Sequence, residues 1–105
     1  MSVLLEFSMF PTDKGESVSA YVSRILTFID DSGVSYRLTP MGTIVETEDL
    51  DEALRILSEA YKRVEPDCNR VYVSAKLDIR KGRKNGLTHK IESVEKRAGK
   101  KLKGS

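Results

Sequence analysis

Cysteine is almost absent: Cys68 is the single one in 105 residues, so no intrachain disulfide can form and the usage suits a reducing compartment. Tryptophan is missing and His89 is the lone histidine, which removes the grouped His and Cys ligands that a zinc site requires and leaves little basis for a nucleophilic triad. No apolar run approaches the roughly 20 residues that span a bilayer, and Glu6 interrupts "MSVLLEF" before a signal-peptide core could form. A cytoplasmic location is the expectation. Neither sign of charge dominates, since 18 basic residues against 16 acidic ones leave +2, too little to imply nucleic acid or a membrane surface by itself. Proline occurs three times, at Pro11, Pro40 and Pro66, each where a periodic segment stops.

What is present is enough apolar residue for one core: 39% hydrophobic and 32% charged content fits a single domain over residues 1–105, with a flexible basic tail from about residue 99. Val3, Leu5, Phe7 and Met9 alternate with Ser2, Leu4, Glu6 and Ser8, a first strand ending at Pro11. From Ser17 to Ser32 the apolar positions fall at helical spacing, and Gly33 stands where a left-handed cap is favoured. Two short strands, about Val34–Thr39 and Thr43–Thr47, form a hairpin through Pro40, Met41 and Gly42. Asp49 with Glu52 three residues on resembles a capping box, and Ala53, Leu54, Leu57, Ala60, Tyr61 and Val64 form the stripe of a helix that Pro66 ends. From Arg70 to Arg80 the alternation is strict, with Val71, Val73, Ala75, Leu77 and Ile79 on one face. Leu87, Ile91, Val94 and Ala98 mark a last helix with a narrow stripe.

The order β-α-β-β-α-β plus a C-terminal helix is that of an α+β, ferredoxin-like split βαβ fold, with a four-stranded antiparallel sheet in order 4-1-3-2 and both main helices on one face. The reverse face then carries Leu4, Glu6, Ser8, Phe10, Ile44, Glu46, Tyr72, Ser74, Lys76, Asp78 and Arg80. Mixed apolar and ionisable residues on one face suit a surface partly buried by another subunit and partly lining a polar site, although solvated side chains on an uncovered sheet give the same pattern. Leu4, Ile44 and Tyr72 are expected to need cover from a second subunit.

The stretches "FSMFPTDKGESVSAYV", "SYRLTPMGTIVETED", "RVYVSAKLDIRKGR" and "LTHKIESVEKR" resemble the small thiamine-binding (YkoF-like) proteins, once an uncharacterised group, over nearly the whole chain. The hairpin of that family typically reads Gly-Thr-x-x-Glu-Gly, and Thr47 replaces the final glycine here. The resemblance implies a cytoplasmic homo-oligomer, a dimer or homotetramer. It further implies binding of thiamine or a related pyrimidine or thiazole compound, without catalysis and without a cofactor of the protein's own.

Such a ligand needs a carboxylate or amide for the aminopyrimidine, an apolar wall for its rings, and relief for the thiazolium charge. Glu46, Glu6 and Asp78 are the candidate anionic groups, Ser8 and Thr43 the hydroxyls, and Phe10, Tyr36, Met9 and Met41 the wall, with packing an equal alternative for Tyr36 and Met41. Arg80, Lys81 and Arg83 offer an anion site, against the plainer reading of a solvated charge run. Two rival functions share the topology. Acylphosphatase chemistry needs an arginine-bearing phosphate loop after the first strand, and "PTDKGES" has no arginine. An RNA-binding sheet stacks bases on central aromatics, where this one offers Glu6, Ser8 and Glu46, so RNA binding through the basic tail is expected to be weak and salt-sensitive. A structural or regulatory oligomeric module without a thiamine ligand is the remaining alternative.

Overall fold

Strict alternation along β1 (Ser2–Pro11) sends Val3, Leu5, Phe7 and Met9 into the core, all buried, while Leu4, Glu6, Ser8 and Phe10 point to the other side. The computed structural model describes residues 1–16, 18–82 and 85–103. After β1 come α1 (Val18–Asp31), β2 (Ser35–Thr39), β3 (Gly42–Thr47), α2 (Leu50–Lys62), a 3-10 turn (Glu65–Asp67), β4 (Val71–Arg80) and α3 (Gly86–Ala98). The strands form one antiparallel sheet in order β2-β3-β1-β4, the expected 4-1-3-2 read from the other edge. The ferredoxin-like α+β fold is therefore the one that the element order dictates.

Helices α1 and α2 pack on the same face. Ile25 and Ile29 of α1 meet Ala53, Ile56 and Ala60 of α2 over Val3, Leu5, Phe7 and Val45, making one core. Arg24 joins α1 to the 3-10 turn, its guanidinium 4.7 Å from the Tyr21 ring centroid and paired with Asp67, and Arg63 lies 4.7 Å over the Phe28 ring. Asp49 caps α2 as its sequence indicates, accepting the Glu52 N–H at 2.8 Å. Gly33 follows α1 at φ +78°, the left-handed conformation expected there.

Several expectations are corrected. In α2, Ile56 is buried while Leu54 and Tyr61 are exposed; each lies about 100° round the helix from Ala53 or Ala60, which carry the inward stripe. The helix ends at Lys62, with Pro66 in the 3-10 turn that follows. In β4, Val73, Ala75, Leu77 and Ile79 do share the side of the buried β1 residues, but the helices lie over β1 and β3 and leave these β4 positions exposed. Leu4 and Ile44, read as an open patch, are half-buried, because α3 packs in the same chain against β1 and β3. Of the α3 stripe only Leu87 and Ile91 are half-buried; Val94 and Ala98 face outward.

Candidate functional site

Unequal strand lengths open an apolar cleft at the hairpin tip, while a larger, more polar hollow of about 760 Å³ lies at the other end of the sheet, with Ser2, Val34, Glu46 and Glu52 in its lining. β1 pairs with β4 along its full length, but its ladder with β3 runs only from Val3↔Thr47 to Phe7↔Thr43. Beyond the hairpin tip the Ser8–Phe10 segment of β1 borders a notch closed on the helix side by Val22, Ile25 and Leu26 of α1. The cavity is about 480 Å³, largely apolar, with Phe7, Met9, Phe10, Leu38 and Met41 in its wall and Ser8, Thr39 and Thr43 also in its lining.

The tip is built locally. Thr39 Oγ1 donates to the Gly42 carbonyl at 2.8 Å and accepts the Met41 N–H at 3.2 Å, which fixes the turn and leaves Met41 87% exposed at the lip. A Cβ at residue 42 would stand 3.0 Å from the Phe7 carbonyl oxygen, so glycine lets the hairpin close against β1. On the α3 side of the sheet a smaller cleft of about 280 Å³ shares Phe7, Ser8 and Met41 with the notch and adds Glu6, Ser74 and Lys76. In the register Lys76 stands directly opposite Glu6 and Ser74 opposite Ser8, while Phe10 and Tyr72 form a tilted ring pair at 5.8 Å. Together the two clefts offer an apolar slot, hydroxyls, one carboxylate and one ammonium.

Glu6, Ser8, Phe10, Met41 and Thr43 are thus brought together around the hairpin tip, Thr43 from the helix side and buried. Four other candidates lie elsewhere. Tyr36 belongs to the helix side, where its hydroxyl donates to Asp30 Oδ1 at 2.7 Å and that carboxylate raises the phenol above its ordinary pKa. Asp78 shares a row with Leu4 and Glu46, towards the other end of the sheet. Arg80 and Lys81 are exposed at that same end, and Arg83 lies outside the described residues.

Glu46 itself is engaged by α3. Its carboxylate accepts the Gly86 N–H at 2.6 Å, the Leu87 N–H at 3.4 Å and the Ser2 hydroxyl at 2.5 Å. Asn85, the local N-cap residue, is left-handed at φ 55° and makes no side-chain cap, so a strand residue performs the capping. Arg37 fastens the same turn through the Leu87 carbonyl at 3.3 Å. The α1 side chains Val22 and Leu26, and Leu38 of β2, are wall residues that the sequence reading did not count among the site candidates. The length mismatch between β1 and β3 is the signal that could have found them.

A four-stranded ferredoxin-like sheet with a ligand-sized notch beside its central strand defines a class of small α+β domain. The sequence model of the family described as "Thiamine-binding protein" matches residues 5–95, and the chain belongs to that family. The UPF0045 protein MJ1052 of Methanocaldococcus jannaschii is 36% identical over 92 residues, covering 88% of this chain and 91% of its own length. A UPF0045 protein of Methanothermobacter thermautotrophicus is 35% identical over 77% of this chain and 83% of its own. Among solved structures, MJ1052 superposes with a TM-score of 0.78 at 35% identity, covering 89% of this chain and 95% of that one. A Thermotoga maritima protein whose name proposes a part in thiamine biosynthesis or salvage superposes at 0.77 with 18% identity, covering 90% of this chain and 99% of that one, a likeness of fold. Among the described residues no helix is long and apolar enough to cross a membrane.

Proposed function

We propose that this protein binds a small heteroaromatic molecule of the thiamine class, without transforming it, across the notch at the hairpin tip and the smaller cleft that adjoins it on the α3 side. The observation that carries the reading is the cavity beside Ser8–Phe10, of a size suited to one such molecule, in a chain of the thiamine-binding protein family. Glu6 supplies the anionic group for a cationic ring or an exocyclic amine, Ser8 and Ser74 supply hydroxyls, and Phe10 and Met41 supply the wall. Glu46, bonded to the start of α3, supports the face next to the site rather than the ligand. The working form is a cytoplasmic homo-oligomer, dimer or tetramer, with the site close to a subunit boundary.

Isothermal calorimetry with thiamine, its aminopyrimidine half and its phosphates tests the reading. Glu6→Gln is expected to weaken thiamine at least about tenfold, as for a charge-assisted contact, and Phe10→Ala to do the same. Glu46→Gln should leave affinity nearly unchanged. Loss of binding on Glu46→Gln with none on Glu6→Gln would move the site to the α3 end of the sheet, and no heat with any of these compounds would leave a structural or regulatory oligomer as the function.

A further inference from the structure

Glu6 and Lys76 stand directly opposite each other on β1 and β4, where opposed strand residues lie about 4.5–5.5 Å apart at Cα and opposite charges commonly pair. Among the described residues, however, neither the Glu6 carboxylate nor the Lys76 ammonium makes a salt bridge or a side-chain hydrogen bond. One row nearer the hairpin tip, the Ser8 and Ser74 hydroxyls are likewise opposite and uncommitted. All four residues line the cleft of about 280 Å³ that joins the apolar notch at Phe7, Ser8 and Met41, and among the described residues no other ionisable side chain lines either space. We propose that the ligand of these joined clefts is the phosphate monoester of a heteroaromatic cation, with Lys76 and Ser74 of β4 holding the phosphate and Glu6 of β1 the cationic ring.

Charge decides between ligand classes. A ligand that carries only a cation, brought against Glu6, has the Lys76 ammonium one strand spacing away, and that like charge opposes it. A ligand that carries only an anion meets the same opposition from Glu6. A molecule with both charges on a short arm satisfies both groups at once, and neither has to leave a partner within the protein to receive it. The ammonium, with three donors and no fixed plane, suits a terminal phosphate, and the Ser74 hydroxyl adds a further donor on the same side of β4.

The spacing of the rows agrees. The Phe10–Tyr72 row stands four residues from the Glu6–Lys76 row, roughly 13 Å along the strands. Two linked rings lying over Phe10 and Met41 therefore bring a two-carbon phosphate arm to Lys76. The inference rests on the reading of these clefts as the ligand site and adds which member of the ligand class they select.

Isothermal calorimetry of the full chain with thiamine, thiamine monophosphate and inorganic phosphate, with far-UV circular dichroism to confirm folding, tests it. The monophosphate is expected to bind at least about tenfold more tightly than thiamine, the gain of a charge-assisted contact. Lys76→Met should abolish that preference, weakening the monophosphate by about tenfold or more while thiamine keeps its affinity or tightens, because a like charge has gone. Lys76→Arg should retain the preference, and Ser74→Ala should reduce it a few-fold. Equal affinities for thiamine and its monophosphate in the wild-type chain would overturn the inference and leave the thiamine reading standing, whereas no binding of either compound would overturn both. A Lys76→Met variant that shifts the two compounds equally would make Lys76 structural and overturn it. Inorganic phosphate binding as tightly as the ester would show a bare anion site and overturn it as well. If Lys76→Met fails to fold, the wild-type comparison and Ser74→Ala decide.

Discussion

β1 and β4 are both ten residues long, alternate apolar and polar side chains, and pair with each other from end to end, yet their surroundings are opposite. Leu5 is fully buried and Leu77, directly opposite it, is 42% exposed. β1 is flanked by β3 and β4, roofed by α1 and α2, and has α3 against its other side. Among the described residues β4 has one neighbouring strand, and apart from Val71 its apolar row lies exposed. Alternation therefore reports that a segment is a strand and which residues share a side; whether that side is covered depends on where the topology puts the strand.

The largest test of that contrast is a matched pair of truncations. Leu5→Ala should cost about 3–5 kcal/mol in urea unfolding, the range for a buried leucine that leaves a cavity. Leu77→Ala, in dilute solution where any assembly is dissociated, should cost under about 1 kcal/mol. Equal losses would mean that β4 is as enclosed as β1 within the single chain.

Next in size is Glu46→Ala, which removes the acceptor shared by Ser2, Gly86 and Leu87. A loss of about 1–3 kcal/mol is expected, with faster hydrogen exchange at the Gly86 and Leu87 amides and little change along β4. Accelerated exchange throughout the sheet would show that α3 supports the whole fold and not just the β1–β3 half. Asp49→Ala should then cost about 1 kcal/mol, by loss of the α2 cap, since that helix roofs β1 and leaves β4 bare.

Acid supplies the smallest effect. The Asn69 N–H donates to Asp13 at 2.8 Å, tying the turn after β1 to the entry of β4, and holds that carboxylate below its ordinary pKa. A depressed carboxylate contributes stability above its unfolded pKa and loses it as pH falls through the folded one, so the contribution fades only in the acid range below the ordinary carboxylate value. A proton NMR titration should show the Asn69 amide shifting with that depressed midpoint, and Asp13→Asn should abolish the shift. A midpoint at the ordinary value would mean that the Asn69 contact does not hold in solution.

Much of the fold was legible. Strand parity, the Asp49 cap, Gly33 and the Pro40–Gly42 turn are local signals, and local hydrogen bonding and sterics fix them. For the candidate site, what was legible is proximity: Glu6, Ser8, Phe10, Met41 and Thr43 line the clefts at the hairpin tip because parity and the hairpin turn determine their positions. Glu46 was read as a candidate anionic group on the reverse face; its backbone donors lie 40 and 41 positions away in sequence, which no window along the chain connects. Tyr36 was counted with the site without following the pairing that puts it beside Val45, on the opposite side from Glu46. The bareness of β4 depends on how far two helices reach across a sheet, a property of the assembled layers and not of any segment.

The borrowed cap of α3 also bears on the order in which the chain assembles. A helix that brings its own capping residue can begin as an isolated segment, but the first turn of α3 has its side-chain acceptor on β3 and its local N-cap in a left-handed turn. Nucleating that turn alone is unfavourable, so the contact that rewards it arrives only after β1 and β3 have paired. The helix consequently closes over a sheet that already exists. In refolding, protection at Gly86 and Leu87 should trail that of the β1–β3 ladder, which makes these two amides a late clock for the whole molecule.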